Sequence, residues 1–247
     1  MRARARIVAE QDGRGGTRPA VLHGESPLLL RRTGPRGGDL TVHLVGGAAG
    51  PLRGDDLRLD ISVGPGARLA VHSVAAQLAL PGRPGLPASR FEIHATVAAS
   101  GTLLWTPEPL IAAAGCDHRT RTTIDVAEGG TLLWRDDLVC GRHHEPAGDL
   151  TADITVRYAG RTLYRHELRV GPSAPAWSEA AVLGGAQAVG TIVLAGPALP
   201  DPALLPGEAA LMPLAGPGLL ATAVGPDIRD VRRALDPLCA VPMLLPR

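Results

Sequence analysis

The sequence contains no lysine, only three cysteines and 2% aromatic residues in 247 positions. An odd number of cysteines without a CxxC pair is a poor basis for a disulfide framework and fits a reducing compartment. No apolar run approaches the roughly 18 residues that a spanning helix needs, and no apolar stretch follows the arginines at the N-terminus. We therefore expect a cytoplasmic protein without a membrane span or secretion signal.

The charge balance and the missing motifs exclude several functions. A formal charge of +1 gives no electrostatic footprint for nucleic acid. The sequence has no Walker loop, no strand-linked GxGxxG and no GxSxG elbow, so the usual signatures of nucleotide binding and hydrolase chemistry are missing. No catalytic residue and no tightly bound cofactor is predicted.

Alternation of apolar and polar residues dominates the first two thirds of the chain. Leu57, Leu59, Ile61 and Val63 fall on one face of a predicted strand, with polar residues between them. The same pattern begins at Phe91, Thr122 and Leu150. Glycine-containing turn signals separate these segments. The pattern predicts a mainly β protein, forming one domain over residues 1–247.

A weak internal repeat accompanies this pattern. The segment Val97–Trp105 recurs as Val126–Trp134, and Val63–Val71 is a degenerate third copy. Repeated units of this kind predict stacked β layers, as in an irregular β-helix or a sandwich. Ordinary hairpins with glycine turns would produce a similar pattern. Trp105 and Trp134 occupy equivalent repeat positions and are predicted to anchor the core.

One short helix is predicted near the C-terminus. Its apolar face consists of Ile228, Val231, Leu235 and Leu238. Asp227 is the expected N-cap, and Pro237 is expected to end the helix.

Two segments combine cysteine with histidine: Cys116 with His118, and Cys140 with His143 and His144. Their spacing matches no structural zinc pattern. We therefore interpret them as residues of surface loops.

Five motifs occur in a fixed order along the chain: Gly50–Leu57 with the Gly54-Asp55 pair, Val63–Ala67, Ser73–Ala76, Trp105–Pro109 with Pro107-Glu108-Pro109, and Gly141-Arg142 with Glu145. In this order, over about residues 20–195, they resemble the UreD (UreH) family of urease accessory proteins. The chain departs from the family pattern at 77–82 and at 145–149.

The resemblance implies a mainly β maturation factor that is not itself an enzyme. Family members bind apo-urease and a second accessory protein, UreF, which recruits the GTPase UreG that delivers nickel. Because this chain has no phosphate-binding loop, GTP chemistry would belong to the partner. Nickel would be in transit and not a resident cofactor.

A nickel path requires weak, exchangeable ligands, because a compact cysteine and histidine cage would hold the ion. Oxygen ligands meet this requirement, and the candidates are Asp55, Ser73, Glu108, Asp136 and Asp137. In the structural alternative, Asp55 stabilises a glycine turn and Glu108 forms a local hydrogen bond between two prolines.

Two other functions fit the sequence. A β-fold hydrolase would use paired carboxylates such as Glu108 and Asp136, although few aromatic faces are available to stack on sugars. A β-sandwich interaction module would bind partners without any role for a metal.

Overall fold

The structure is a computed structural model that describes residues 1–34, 38–199 and 205–240. Across these residues the chain forms seventeen strands and one helix. In chain order they are β1 Arg2–Gln11, β2 Thr17–Gly24, β3 Leu28–Thr33, β4 Leu40–Gly46, β5 Asp56–Val63, β6 Arg68–Ser73, β7 Gln77–Ala79, β8 Ser89–Val97, β9 Thr102–Thr106, β10 Leu110–Ala112, β11 Asp117–Val126, β12 Thr131–Val139, β13 Asp149–Tyr158, β14 Arg161–Val170, β15 Ala188–Ala195, β16 Ala209–Pro213, β17 Gly218–Gly225 and α1 Ile228–Cys239.

The strands form two sheets. The first sheet has the order β14-β13-β11-β8-β5-β1-β2, and the second runs β16-β17-β15-β12-β9-β6-β4-β3, with β7 and β10 attached at β12. Strands β5, β8 and β11 are parallel neighbours in the first sheet, as are β6, β9 and β12 in the second. From β5 to β12 the chain passes repeatedly from the first sheet (β5, β8, β11) to the second (β6, β9, β12), so the centre of the fold is solenoid-like. The prediction of a mainly β, stacked fold with a short C-terminal helix is confirmed.

The internal repeat corresponds to successive turns of this solenoid. Val63 pairs with Val97, and Val97 pairs with Val126, in adjacent strands of the first sheet. In the second sheet Trp105 pairs with Trp134, and their rings stack with centroids 4.7 Å apart and planes 8° from parallel. The repeat is therefore structural, and both tryptophans are buried as predicted.

The main core lies between the two sheets. Alternate residues of β5 and β8 point into it, among them Leu57, Leu59, Phe91 and Ile93. At roughly 25 cal/mol per Å² of apolar surface buried, such strand faces supply most of the driving force for folding. The alternation read from the sequence is confirmed in these strands.

Helix α1 packs on the outer face of the second sheet, where Val231 and Leu235 join a second apolar cluster with residues of β15 and β17. The Asp227 side chain accepts a hydrogen bond from the Arg229 N–H, which confirms the N-cap. The predicted end at Pro237 is wrong, because the helix continues to Cys239. Proline removes one hydrogen bond, and within the last turn few bonds remain to be lost.

The helix has 12 residues, and the described chain includes no helix long and apolar enough to cross a membrane.

The interpretation of both cysteine segments as surface loops is wrong for three residues. Cys116, Cys140 and His118 are buried. The two cysteines belong to a third apolar cluster, and the His118 Nδ1 shares a buried 2.8 Å hydrogen bond with the Ser89 hydroxyl. Burial raises the pKa of the Cys116 thiol to about 11 and that of Cys140 to about 12, so both remain protonated. His143 and His144 are exposed, as expected of a loop.

Candidate functional site: an acidic cavity between the sheets

A cavity of about 810 Å³ lies between the two sheets. Its walls are largely apolar. The first sheet contributes Phe91, Ile93, Ile154 and Tyr164, and the second contributes Leu44, Trp105, Trp134 and Val193. The segment at 181–183 lines the cavity as well. A cavity of this size and apolar character is the usual form of a binding site or passage.

The charged groups of this cavity are nearly all acidic. The five residues predicted to contact nickel, Asp55, Ser73, Glu108, Asp136 and Asp137, all line it. Asp153 adds a further carboxylate, and the lining residues of the described chain include His166 but no arginine. The geometry therefore suits a cation better than an anion.

Asp136 projects from β12 into the cavity. Its Oδ2 accepts a hydrogen bond of 2.8 Å from the Nε1 of Trp134. Trp105, which stacks on Trp134, also lowers the pKa of Asp136. Its Nε1 forms no hydrogen bond within the described part of the chain. Asp136 lies inside the protein, but its side chain is exposed to solvent because it faces the cavity. Burial raises the pKa of Asp136 to about 6.

Asp137 borders the cavity, but its side chain lies on the opposite face of the strand from that of Asp136, because successive side chains alternate across a sheet. It lies beneath α1, where Arg135 donates a 2.9 Å hydrogen bond to its Oδ2. Arg135 also contacts Asp236 of α1 at 2.6 Å. Burial lowers the pKa of Arg135, but the charges and hydrogen bonds of Asp137 and Asp236 raise it by more. The two neighbouring carboxylates of β12 therefore do not form a pair.

Glu108 and Ser73 lie together at one edge of the cavity. The Glu108 N–H donates to the Ser73 Oγ at 2.8 Å, and the Ser73 hydroxyl donates to the Ala75 carbonyl at 3.0 Å. The Glu108 carboxylate accepts a 2.5 Å hydrogen bond from Arg232 of α1. The expected local hydrogen bond of the Glu108 side chain is therefore wrong: its partner lies on a distant element. Pro107 lines the cavity, and the carbonyl of Pro109 accepts from the Gln77 N–H.

Asp55 combines both roles considered for it. Its Oδ2 accepts from the Leu52 N–H at 2.9 Å, which stabilises the turn, and its Oδ1 contacts the Met1 ammonium at 2.6 Å. Gly54 has a φ of 84°, in the region that favours glycine. The turn interpretation is thus supported, and the side chain also reaches the cavity wall.

Comparison with known proteins supplies the family. The sequence profile described as UreD urease accessory protein matches residues 1–245. The chain belongs to the UreD family. The urease accessory protein UreD of Parafrankia sp. is 44% identical over 98% of this chain and 89% of its own length. That of Streptomyces avermitilis is 46% identical over 96% of this chain and 95% of its own length. The resemblance found in the sequence is confirmed.

The UreD-like Gly141-Arg142 motif lies apart from the cavity and stabilises a loop. Arg142 forms an ion pair with Glu145, whose Oε2 also accepts from the Ala114 N–H at 3.3 Å. The hydrogen bond from Arg142 lowers the pKa of Glu145 to about 2. Gly141 has a φ of 93°, and a Cβ there would lie 2.4 Å from the Glu145 carbonyl oxygen. Only glycine fits this position.

Sequence reasoning on this UreD chain missed the aromatic and histidine residues of β14. Tyr164 and His166 line the cavity opposite Asp136, with ring centroids 6.1 Å apart. Burial and then the charge of Asp136 raise the pKa of Tyr164 to about 12. The sequence did contain a relevant pattern, since Tyr164, His166 and Leu168 alternate with charged residues along one strand. That pattern predicts a strand but does not show that this face lines a cavity.

Among the described residues of this UreD chain, no group of three or more His, Cys, Asp or Glu side chains is placed to hold one metal ion. The predicted oxygen ligands are separate contacts along the cavity wall. In the described chain Asp136 has no ion-pair partner, whereas Asp55 contacts the Met1 ammonium and Asp137 and Glu108 pair with arginines.

Proposed function

We propose that this chain is a non-catalytic urease maturation factor that binds apo-urease together with a UreF-like protein and, through it, a UreG-like GTPase. Nickel passes along the acidic cavity on its way to the urease active site. Membership of the UreD family over nearly the whole chain supports the role in maturation. The chain itself carries no phosphate-binding motif, so a partner must supply the GTP chemistry.

The observation that carries the nickel proposal is the Asp136 carboxylate, which faces the cavity without any arginine among its described lining residues. The Asp136 side chain is exposed to the cavity, and in the described part of the chain no cationic side chain forms an ion pair with it. Here its hydrogen bond comes from a neutral indole. A passing divalent cation would supply the missing positive charge, and scattered oxygen ligands would release it again.

The arrangement of Glu108 and Asp136 favours this function over a hydrolase. Paired acid and base carboxylates must flank one substrate bond. Glu108 is instead held by Arg232 of α1, and Asp136 by Trp134 inside the cavity. An interaction module without a metal role would bind the same partners, so nickel content is the measurement that separates the two.

The proposal is tested in a recombinant urease operon from which this gene is deleted. We expect urease subunits at normal levels with little nickel and little activity, measured by metal analysis of purified urease. Affinity purification of this chain, coexpressed with the operon, should recover urease subunits and the UreF-like partner. Normal nickel occupancy in the deletion strain would overturn the proposal.

A second experiment separates the two roles of Asp55. Asp55→Asn can still accept the Leu52 N–H hydrogen bond but has no charge, whereas Asp55→Ala removes both. If Asp55 contacts nickel, both variants should form the accessory complex and lower urease nickel content. If Asp55 has only a structural role, urease assembled with either variant should contain normal nickel. Asp55→Asn should then lose only the ion pair with the Met1 ammonium, and Asp55→Ala should lose about 1 kcal/mol more because the turn hydrogen bond is also removed. Cys116→Ala is the control, because its buried thiol faces an apolar cluster and we expect normal nickel loading.

A further inference from the structure

Two histidines stand side by side on the outer face of the second sheet. His43 on β4 and His72 on β6 are paired in parallel register. Their ring centroids are 5.2 Å apart and their planes are inclined by 40°. Both side chains are half-buried. Neither residue belongs to the lining of the cavity described above.

Each ring is held by a threonine on the flanking strand. The Nδ1 of His43 shares a 2.8 Å hydrogen bond with the Thr33 hydroxyl of β3. The Nδ1 of His72 shares a 2.7 Å hydrogen bond with the Thr106 hydroxyl of β9. The strand order is β3, β4, β6, β9, so the two threonines lie on the outer flanks of the pair.

This arrangement turns the remaining ring nitrogens towards each other. The two nitrogens of an imidazole lie on nearly opposite edges of the ring. Because both Nδ1 atoms face outwards, the two Nε2 atoms point inwards and away from the sheet. In the ranges that the structure describes, neither Nε2 has a hydrogen-bond partner. Two nitrogen ligands therefore converge above the strands.

We propose that His43 and His72 bind one divalent first-row transition-metal ion through their Nε2 atoms. Imidazole is a favoured ligand for nickel, copper and zinc. An ion about 2.1 Å from each Nε2 would separate the ring centroids by about 5 Å, which agrees with the observed 5.2 Å. Hydrogen bonding of the other ring nitrogen is the usual way in which a protein orients a histidine ligand.

An arginine on the neighbouring strand lies beside the pair. Arg31 of β3 is in register with His43, and its Nη1 donates to the Leu30 carbonyl at 3.1 Å. With two protein ligands and a nearby cation, the remaining positions are filled by water and the bound ion exchanges readily.

The position of the pair connects it with the cavity. His72 immediately precedes Ser73, and Thr106 is followed by Pro107 and Glu108, all three of which line the cavity. The pair is thus a loading point beside the Ser73 and Glu108 edge. This use as a loading point rests on the proposed nickel function, whereas ion binding by the two histidines does not.

Titration of the purified full-length chain with Ni²⁺ alone, followed by calorimetry, tests the proposal. His43→Gln and His72→Gln should each weaken the binding of this ion by about tenfold or more. The double variant should be little worse than either single one, because the two rings act as one unit. Equal affinity in the parent and both single variants would overturn the proposal.

Matched controls test whether Ni²⁺ binds instead at His94 or at the His143 and His144 pair. His94→Gln removes a half-buried histidine that lies 3.8 Å from Glu92 on the first sheet. Replacing both His143 and His144 by glutamine removes the exposed loop pair, whose ring centroids are 3.7 Å apart. Both control proteins should bind Ni²⁺ like the parent. Loss of binding in the loop variant, with binding intact in His43→Gln, would assign the ion to the loop and contradict the proposal.

A measurement on the unmodified chain covers the case in which His72→Gln fails to fold. X-ray absorption of the Ni²⁺-loaded chain should show two imidazole ligands, and none would contradict the proposal. Urease nickel content is measured separately. If the ion binds as proposed but the gene deletion leaves urease loaded, the proposed function fails and the metal site remains. If the deletion strain lacks nickel but this chain binds no ion here, only the metal site fails.

Discussion

The two faces of β12 carry similar residues in opposite environments. Towards the cavity, Asp136 receives its hydrogen bond from an indole, and the described lining residues include no arginine. Towards α1, Asp137 is neutralised by Arg135, which also binds Asp236. One face therefore carries an ion-pair network, and the other leaves a carboxylate without a cationic partner among the described residues. The proposed nickel path uses the cavity face, where the carboxylate of Asp136 is left available to a cation.

The largest effect is expected from breaking the network beneath α1. Arg135→Ala leaves Asp137, whose side chain is 1% exposed, as a buried charge without a partner. We expect a loss of about 3–5 kcal/mol in the free energy of unfolding, measured by urea denaturation. The double variant Arg135→Met with Asp137→Leu should recover most of this loss. A loss below about 1 kcal/mol in the single variant would show that Arg135 does not stabilise the buried Asp137 carboxylate.

A smaller effect, of opposite sign, is expected on the cavity face. The folded pKa of Asp136, about 6, lies above the unfolded value of about 3.9. The folded state therefore retains a proton that the unfolded state loses, and this carboxylate lowers stability as the pH rises from about 4 to 6. Asp136→Asn removes the penalty, so the variant should be at least as stable as the parent at pH 7.

Melting temperatures between pH 4.5 and 7.5 check this prediction. The advantage of Asp136→Asn should shrink as the pH falls below 6. Asp125→Asn is the control, since Asp125 lies on the outer face of the first sheet 3.3 Å from Arg157. A destabilised Asp136→Asn protein at pH 7 would mean that the carboxylate has a cationic partner after all.

The N-cap of α1 should matter less than the network that the helix covers. Asp227→Ala removes the acceptor for the Arg229 N–H, 2.8 Å away, and should cost about 1 kcal/mol. Asp227→Asn keeps an acceptor and should cost little. Thermal unfolding measures both, and a loss as large as that of Arg135→Ala would mean that α1 depends on its cap more than on its buried face.

The smallest effect concerns the rim of the cavity. Arg232 and Glu108 have side chains that are 35% and 40% exposed, so water screens their ion pair. Arg232→Gln should change the free energy of unfolding by less than about 1 kcal/mol. A larger loss in denaturant titration would show that the pair of Arg232 and Glu108 stabilises the fold as the buried pair of Arg135 and Asp137 does.

The sequence predicted those parts of the fold that depend on local patterns. The alternation along β5 and β8 determines their buried faces, and the repeat predicted that Trp105 and Trp134 would be equivalent. The N-cap of α1 followed from Asp227. These features depend on side chains a few residues apart, which is why one sequence suffices to predict them.

The site was only partly predictable, because residue type does not reveal which face a side chain occupies. All five predicted oxygen ligands reach the cavity, but Asp137 and Glu108 are bound by arginines from distant segments. The partner of Glu108 is 124 residues away in sequence. Likewise the burial of Cys116 and His118 depends on packing between turns of the solenoid, which no local pattern records.

The nickel content of urease matured with Asp136→Asn tests the central claim most directly. The variant keeps the shape of the side chain and an acceptor for Trp134, so the complex with urease and the accessory partners should still form. We predict that urease purified from this strain contains much less nickel than urease from strains with the parent chain or Asp125→Asn. Full nickel loading with Asp136→Asn would contradict the account, because the unpaired carboxylate of the cavity would then play no part in moving the ion.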